Sequence, residues 1–281
     1  MKLTFGPIQP GPETFAFERP DALVEFARTH GMRVRGHTLV WHSQNPPWLA
    51  RGSFSAEQMS GILEKHIDTV VGRYAGKVFG WDVVNEAFND DGTLRSTLWL
   101  DKPGIGVKGT GYIEQALRWA RAADPKATLF YNDYDNEAVN AKSNAIFAMA
   151  KNFKERGVPL DGIGLQMHIT LKTDLSTFDE NLKRFADLGL IVEITELDIR
   201  LPVDASGAAS AADLEAQAAM FGKIAATCLK HPECKAIQTW GFTDRHSWVP
   251  AFFKGTGAAL PFDRSYQPKP AYTALSDAFK R

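Results

Sequence analysis

Short apolar runs alternate with longer amphipathic ones along the whole of this 281-residue chain. The runs at 33–41 (RVRGHTLVW), 78–86 (VFGWDVVNE), 128–135 (TLFYNDYD), 162–169 (GIGLQMHI), 191–199 (IVEITELDI) and 236–244 (AIQTWGFTD) predict strands. Residues 20–30, 55–74, 111–123, 138–156, 177–188, 211–230 and 270–280 predict helices. In the fourth of these, Ala145, Ile146, Met149, Ala150 and Phe153 recur at helical spacing. Ser55 and Gln58 have the spacing of a capping box. Gly31, Gly157 and Gly189 fall just past predicted helix ends, where a left-handed residue is wanted. Strand and helix in alternation imply parallel strands joined by right-handed crossovers. Six or more such units in one unbroken run favour an α/β fold closed as a (β/α)8 TIM barrel. An open doubly wound sheet is the alternative. The stretch 204–212 (DASGAASAA) reads as a loop before a helix, so residues 1–281 are expected to form a single domain.

Composition narrows the partners. A net charge of -1 gives no electrostatic reason for nucleic acid or an anionic membrane surface. No run approaches the roughly 20 apolar residues of a membrane span. Met1-Lys2-Leu3 leads into Thr4 and Gly6 and not into an apolar core, so no signal peptide is expected within this chain. The 7 tryptophans suit sugar stacking as well as a core.

A parallel barrel carries its chemistry at the carboxyl ends of its strands. Polar residues recur there: Asn85 and Glu86, Glu196 and Asp198, Gln166 and His168, His37 and Trp41, Asn132 and Tyr134, and Trp240. Side-chain alternation puts Asp82, Val84 and Glu86 on one face, and likewise Ile194, Glu196 and Asp198, or Gln166 and His168. Glu86 and Glu196 are then expected to converge at one barrel mouth. Two carboxyls in a cleft are the equipment of glycoside hydrolysis. A lone strand-end Glu would be a solvated loop residue, and a lone His168 a structural histidine. Six polar strand ends together argue against both. A metal site built from His37, His42, His168 and Glu196 has no HExxH or CxxC spacing to support it, so no metal is expected.

The segments GHTLVWHSQNPPW (36–48), WDVVNEAF (81–88), YNDY (131–134), LQMHI (165–169), ITELDI (194–199), WGFTDRHSW (240–248) and PFDRSYQPKPAY (261–272) resemble those of glycoside hydrolase family 10 xylanases, in the family's order. The resemblance implies a retaining endo-1,4-β-xylanase acting on xylan and xylo-oligosaccharides without a cofactor. It makes Glu86 the acid/base and Glu196 the nucleophile. Asn85 is implied to bind the sugar 2-hydroxyl. Lys2, His37, Trp41 and Gln44 would line the non-reducing side of the cleft, and Tyr134 the leaving-group side. Gln166 and His168 would flank the nucleophile, with His168 bridging to Asp198. Trp240 and Trp248 would wall the central subsite. Asp135 stands where the family usually has Asn, and Pro261 where it usually has Leu.

The family also carries a first strand, a first helix and most of a second strand ahead of the position of Met1-Lys2. The barrel is therefore expected to be N-terminally incomplete, with an open edge through which the chain could self-associate. That expectation keeps in view a catalytically impaired xylan-binding barrel. Because related barrels share the Asn-Glu and Glu strand ends, a β-1,4-glucanase of a related barrel family is the other alternative. Cys228 and Cys234 match a disulfide of some family members, against the alternative of two buried thiols. Such a bond, with a polymeric substrate, implies a secreted protein.

Overall fold

The computed structural model describes residues 1–101 and 104–280. They form two compact units, one made of Met1–Asp133 with Asn144–Ile163, the other of Tyr134–Ser143 with the residues from Gly164 onward.

In the first unit, β1 (Arg35–Trp41), β2 (Gly80–Asn85) and β3 (Thr128–Asp133) pair in parallel in that order. Leu39, Val40, Trp81, Val83, Val84, Leu129 and Phe130 are all buried. Parallel strands covered on both faces give continuous apolar runs, which is why no clean alternation marks them in the sequence. Gly36 permits this packing, since a Cβ there would lie 2.3 Å from the Trp81 ring. The chain start lies alongside β1: Lys2 pairs with His37, whose N–H donates to the Met1 carbonyl at 2.8 Å. The helix Ala56–Arg73 begins with both halves of the Ser55–Gln58 capping box formed, at 3.1 and 2.8 Å. The helix Gly111–Ala123 buries one stripe: Tyr112, Ile113, Ala116, Leu117, Trp119 and Ala120.

β4 (Gly162–Leu165) runs from the first unit into the second. In the second unit β5 (His168–Thr170) and β7 (Cys234–Thr239) pair in parallel with β6 (Ile191–Pro202), and β8 (Thr256–Gly257) pairs antiparallel with the end of β6. Cys228, at the end of the helix Ala211–Leu229, is disulfide-bonded to Cys234 at the start of β7.

Helix boundaries move by three residues or fewer from those expected, and Gly31, Gly157 and Gly189 do have positive φ. The strands differ more. The single strand expected at 162–169 is two, broken where Met167 takes φ 59. β2 stops at Asn85, and Glu86 follows with φ 56. β6 reaches Pro202 because β8 gives its last residues a partner. The strand expected at 236–244 lies at 234–239, and Trp240 is already past it. Pairing slips between His37 and Val40, between Asp82 and Val84, and between Ile194 and Leu197. The face expected to be shared by Glu196 and Asp198 is kept all the same, since both meet His168. Among the described residues, no helix is long and apolar enough to cross a membrane.

Candidate active site

Each unit holds one polar cluster at the carboxyl ends of its strands. In the first unit the cluster centres on Glu86. Its Oε2 accepts from the Trp41 indole N–H at 2.8 Å and its Oε1 from Asn85 Nδ2 at 3.0 Å. Asn85 is itself oriented, because its Oδ1 accepts from Asn132 Nδ2 at 2.8 Å. The Glu86 backbone is fixed from both sides: its N–H donates to the Asn132 carbonyl at 2.9 Å, and its carbonyl accepts from Arg95 Nε at 3.0 Å. The left-handed turn at Glu86 carries a strain cost for a residue with a Cβ. Those two backbone bonds hold it there. His42 Nδ1 lies 3.6 Å from Glu86 Oε2.

Behind this cluster His37 Nδ1 donates to Asp82 Oδ2 at 2.9 Å, and Arg35 pairs with the same carboxylate. Burial opposes ionisation of Asp82, but Arg35 and His37 prevail and hold its carboxyl below the usual range. Lys2 meets His37 through the backbone bridge. Gln44 accepts from Thr4 Oγ1 at 2.9 Å and stands in a left-handed turn at φ 54.

In the second unit the cluster centres on His168. Its Nε2 bonds Glu196 Oε2 at 3.2 Å and its Nδ1 bonds Asp198 Oδ2 at 2.9 Å. The Trp248 indole donates to the same Asp198 oxygen at 2.8 Å, and the Trp248 and Trp240 rings meet His168 edge-on at 4.9 and 6.3 Å. Burial alone would strip the proton from His168. The hydrogen bonds to Asp198 and Glu196 and their charges win, and its pKa is raised to about 10. At neutral pH the ring is a cation between two carboxylates. Arg200 Nη1 donates to the His168 carbonyl at 3.1 Å. Gln166 is buried just before the break at Met167. Tyr134 lies in the loop after β3, its ring 3.4 Å from Lys142 Nζ.

The structure thus gathers Trp41, Asn85 and Glu86 in one cluster and His168, Glu196, Asp198, Trp240 and Trp248 in the other. Three groups were missed from the sequence. Arg95 sits nine positions past Glu86 in a loop with no local signal. Arg200 was accessible, because it follows Glu196 and Asp198 at two-residue steps on β6. Glu137 is buried without a side-chain hydrogen bond, which no pattern in the sequence announces.

Comparison with known proteins adds what geometry alone does not. The family described as glycosyl hydrolase family 10 matches residues 1–278. The chain is 48% identical over 271 residues to endo-1,4-beta-xylanase B of Thermotoga neapolitana, covering 96% of this chain and 76% of that relative. It is 39% identical over 273 residues to an endo-1,4-beta-xylanase of Agaricus bisporus, covering 97% and 79% respectively. Among solved structures, native xylanase 10B from Thermotoga maritima superposes with a TM-score of 0.93 at 46% identity, over 99% of this chain and 86% of that one. Xylanase 10B from Thermotoga petrophila, solved in complex with xylobiose, gives the same TM-score and identity, over 99% and 85%.

Proposed function

We propose, for a chain that belongs to glycosyl hydrolase family 10 and has its (β/α)8-barrel fold, hydrolysis of internal β-1,4-xylosidic bonds of xylan by double displacement. Glu86 acts as general acid and then base, and Glu196 as nucleophile. The observation that carries this reading is the contrast in how the two carboxyls are held. Glu196 rests against a histidine whose charge persists at neutral pH. A carboxylate so held stays ionised and ready to attack the anomeric carbon. Glu86 accepts from two neutral donors, the Trp41 indole and the Asn85 amide, with His42 at longer range. A carboxyl that must carry a proton in one step and lose it in the next is served by donors that do not fix its charge.

In the first step Glu196 attacks the sugar carbon while Glu86 gives its proton to the departing oxygen. In the second Glu86, now ionised, takes a proton from water, and the water oxygen displaces Glu196 from the sugar. Asn85, anchored by Asn132, supplies an amide toward the 2-hydroxyl of the sugar being cleaved. Trp240 and Trp248, packed around His168, are assigned to the wall of the central sugar subsite. His37, Trp41, Lys2, Gln44, Gln166 and Tyr134 are assigned to substrate binding. The similarity to xylanases and to a xylobiose complex supports xylan over cellulose as the substrate.

The disulfide supports an oxidising compartment and hence a secreted enzyme. β7 is exposed at Lys235 and half-buried through the rest of its length, which supports self-association by strand pairing. Light scattering reads this directly, and a monodisperse monomer overturns it. The activity itself is tested by proton NMR of xylan hydrolysis. β-anomeric ends should appear first. α-ends first would overturn double displacement, and no cleavage by wild type would overturn the enzymatic reading.

A further inference from the structure

Glu86 has φ 56, in the left-handed region that a residue with a Cβ occupies at a cost. Its surroundings must impose that geometry, and two elements do. The peptide ahead of Glu86 is held from β3, where the Asn132 carbonyl accepts the Glu86 N–H at 2.9 Å. The peptide behind it, between Glu86 and Ala87, is held at both ends. Its carbonyl accepts from Arg95 Nε at 3.0 Å, and its N–H donates to the Tyr131 hydroxyl oxygen at 2.9 Å. Each peptide is planar, so holding both planes fixes φ and ψ at Glu86.

Tyr131 and Arg95 are themselves held. Tyr131 lies on β3 and is 1% exposed, and its O–H donates to Asp133. Burial first, and then the Asp133 charge, hold the phenol well above its ordinary range. It therefore keeps its proton for Asp133, and its oxygen accepts the Ala87 N–H. The Phe88 ring packs edge-on against the Tyr131 ring, centroids 5.9 Å apart. A tight turn returns Arg95 to Glu86: Phe88 bridges Leu94, and the Asn89 N–H donates to the Thr93 carbonyl at 2.8 Å. There the Arg95 N–H donates to the Ala87 carbonyl at 2.8 Å, and Arg95 Nη2 to the Phe88 carbonyl at 3.3 Å.

We propose that Tyr131 and Arg95 are positioning residues for Glu86, a clamp on the Glu86–Ala87 peptide that aims the acid/base carboxyl. This rests on Glu86 being the acid/base. Trp41 and Asn85 orient the carboxyl oxygens, but the side chain reaches them from a Cα whose direction the clamp sets. Without the Tyr131 hydroxyl the buried Ala87 N–H loses its acceptor, and the turn relaxes toward ordinary backbone with negative φ. The carboxyl then swings away from its two donors. A misplaced proton donor is felt only in the steps that use it. Those steps are departure of an unactivated sugar and attack of water on the covalent intermediate.

The test compares Tyr131→Phe with wild type and Glu86→Ala, all as full chains. The substrates are xylan and a dinitrophenyl xylobioside, whose leaving group needs no proton. Phe keeps the ring and removes only the hydroxyl. In Tyr131→Phe, kcat/KM on xylan should fall about 10-fold or more, and kcat/KM on the aryl substrate by far less. This is the pattern of Glu86→Ala in weaker form. A defect that only lowered the folded fraction would cut both by the same factor. That outcome, or no loss at all, overturns the proposal. If Tyr131→Phe does not fold, Arg95→Met decides by the same ratio, since it removes the guanidinium and keeps a long apolar stem. NMR on chains labelled at amide nitrogen and glutamate carboxyl carbon gives a readout independent of turnover. In Tyr131→Phe the Ala87 amide proton should move upfield and exchange faster, and the Glu86 carboxyl signal should shift. Signals that stay put overturn the clamp. If Glu86→Ala loses both substrates equally, the acid/base reading fails, and the NMR signals still judge whether the clamp aims this carboxyl.

Discussion

Glu86 and Glu196 are both carried by parallel strands, β2 and β6, yet they are held in opposite ways. Glu86 sits just past β2 in a left-handed turn, bonded by an indole and an amide. Glu196 sits inside β6, bonded by an imidazole that two carboxylates keep charged. Neutral donors orient a carboxyl while leaving its proton free to come and go. A cation fixes the charge. The comparison teaches that the two roles are distinguished by what surrounds each glutamate, since the residue type is shared.

The largest effects should come from removing each carboxyl, and they should differ in kind. Glu196→Ala should lower kcat at least about 10⁴-fold on every substrate, because no covalent intermediate can form. Glu86→Ala should cost about 10²–10⁴-fold on xylan but far less in the first step on an aryl xyloside, whose leaving group needs no proton. Stopped-flow bursts of the aryl product, present in Glu86→Ala and absent in Glu196→Ala, check this. Equal losses on both substrates would erase the distinction.

Replacing the cation sharpens it next. His168→Asn removes the cation that the buried Glu196 and Asp198 share. It should lower kcat by about 10²-fold and destabilise the fold by about 3 kcal/mol, the scale of a broken buried pair. Steady-state kinetics with a denaturant melt separate the two losses. An unaffected kcat would show that Glu196 does not depend on the histidine charge.

The third effect is the pH dependence of stability. His66, buried in the first unit, is depressed to about 3 by burial. The unfolded chain takes up a proton near 6.5 that the folded one refuses, so stability falls as pH drops from 6.5 toward 3. In the second unit His168 is raised to about 10, so its contribution is fully present below 6.5 and is lost as pH rises through 10. Glu137, raised from 4.5 to about 7, binds its proton more tightly when folded. It removes stability as pH rises from 4.5 to 7, and so offsets His66 over most of that range. Melting temperature should therefore form a broad maximum between about pH 4.5 and 6.5 and fall on both sides. His168→Asn should flatten the alkaline side and leave the acid side alone. An alkaline limb unchanged in that variant would sink the assignment.

The smallest effect lies away from both carboxyls. The disulfide closes a very short loop between the last long helix and β7. Chain entropy gives about 2 kcal/mol for a ring of that size. Cys228→Ser with Cys234→Ser should lower the melting temperature by about 4 °C or less and leave kcat unchanged. A loss of activity would tie β7, and Trp240 just beyond it, to the bond.

Much of this was open to reading along the chain. The capping box at Ser55, the glycines that end helices and the alternation of strand and helix each follow from local chemistry that acts within a few residues. Glu86 and Glu196 stand out as carboxyls among the polar strand ends, and the match of their segments to a family assigns their separate roles. The period-two argument assumed regular strands. It puts Glu196 and Asp198 together, and both meet one histidine. Glu86 lies past the end of β2 in a left-handed turn, where strand alternation no longer applies.

The sequence by itself determined the elements, their parallel order and the two glutamates, because propensity, capping and apolar period are properties of neighbours. Only the tertiary structure decided what each glutamate meets. The left-handed turn at Glu86 depends on Asn132 and Arg95, from a strand and a loop beyond it. The charge on His168 depends on carboxylates 28 and 30 residues away, and the bare carboxyl of Glu137 on the packing of a pinned loop. Desolvation and charge pairing act through space, and so are set by packing that no local pattern records.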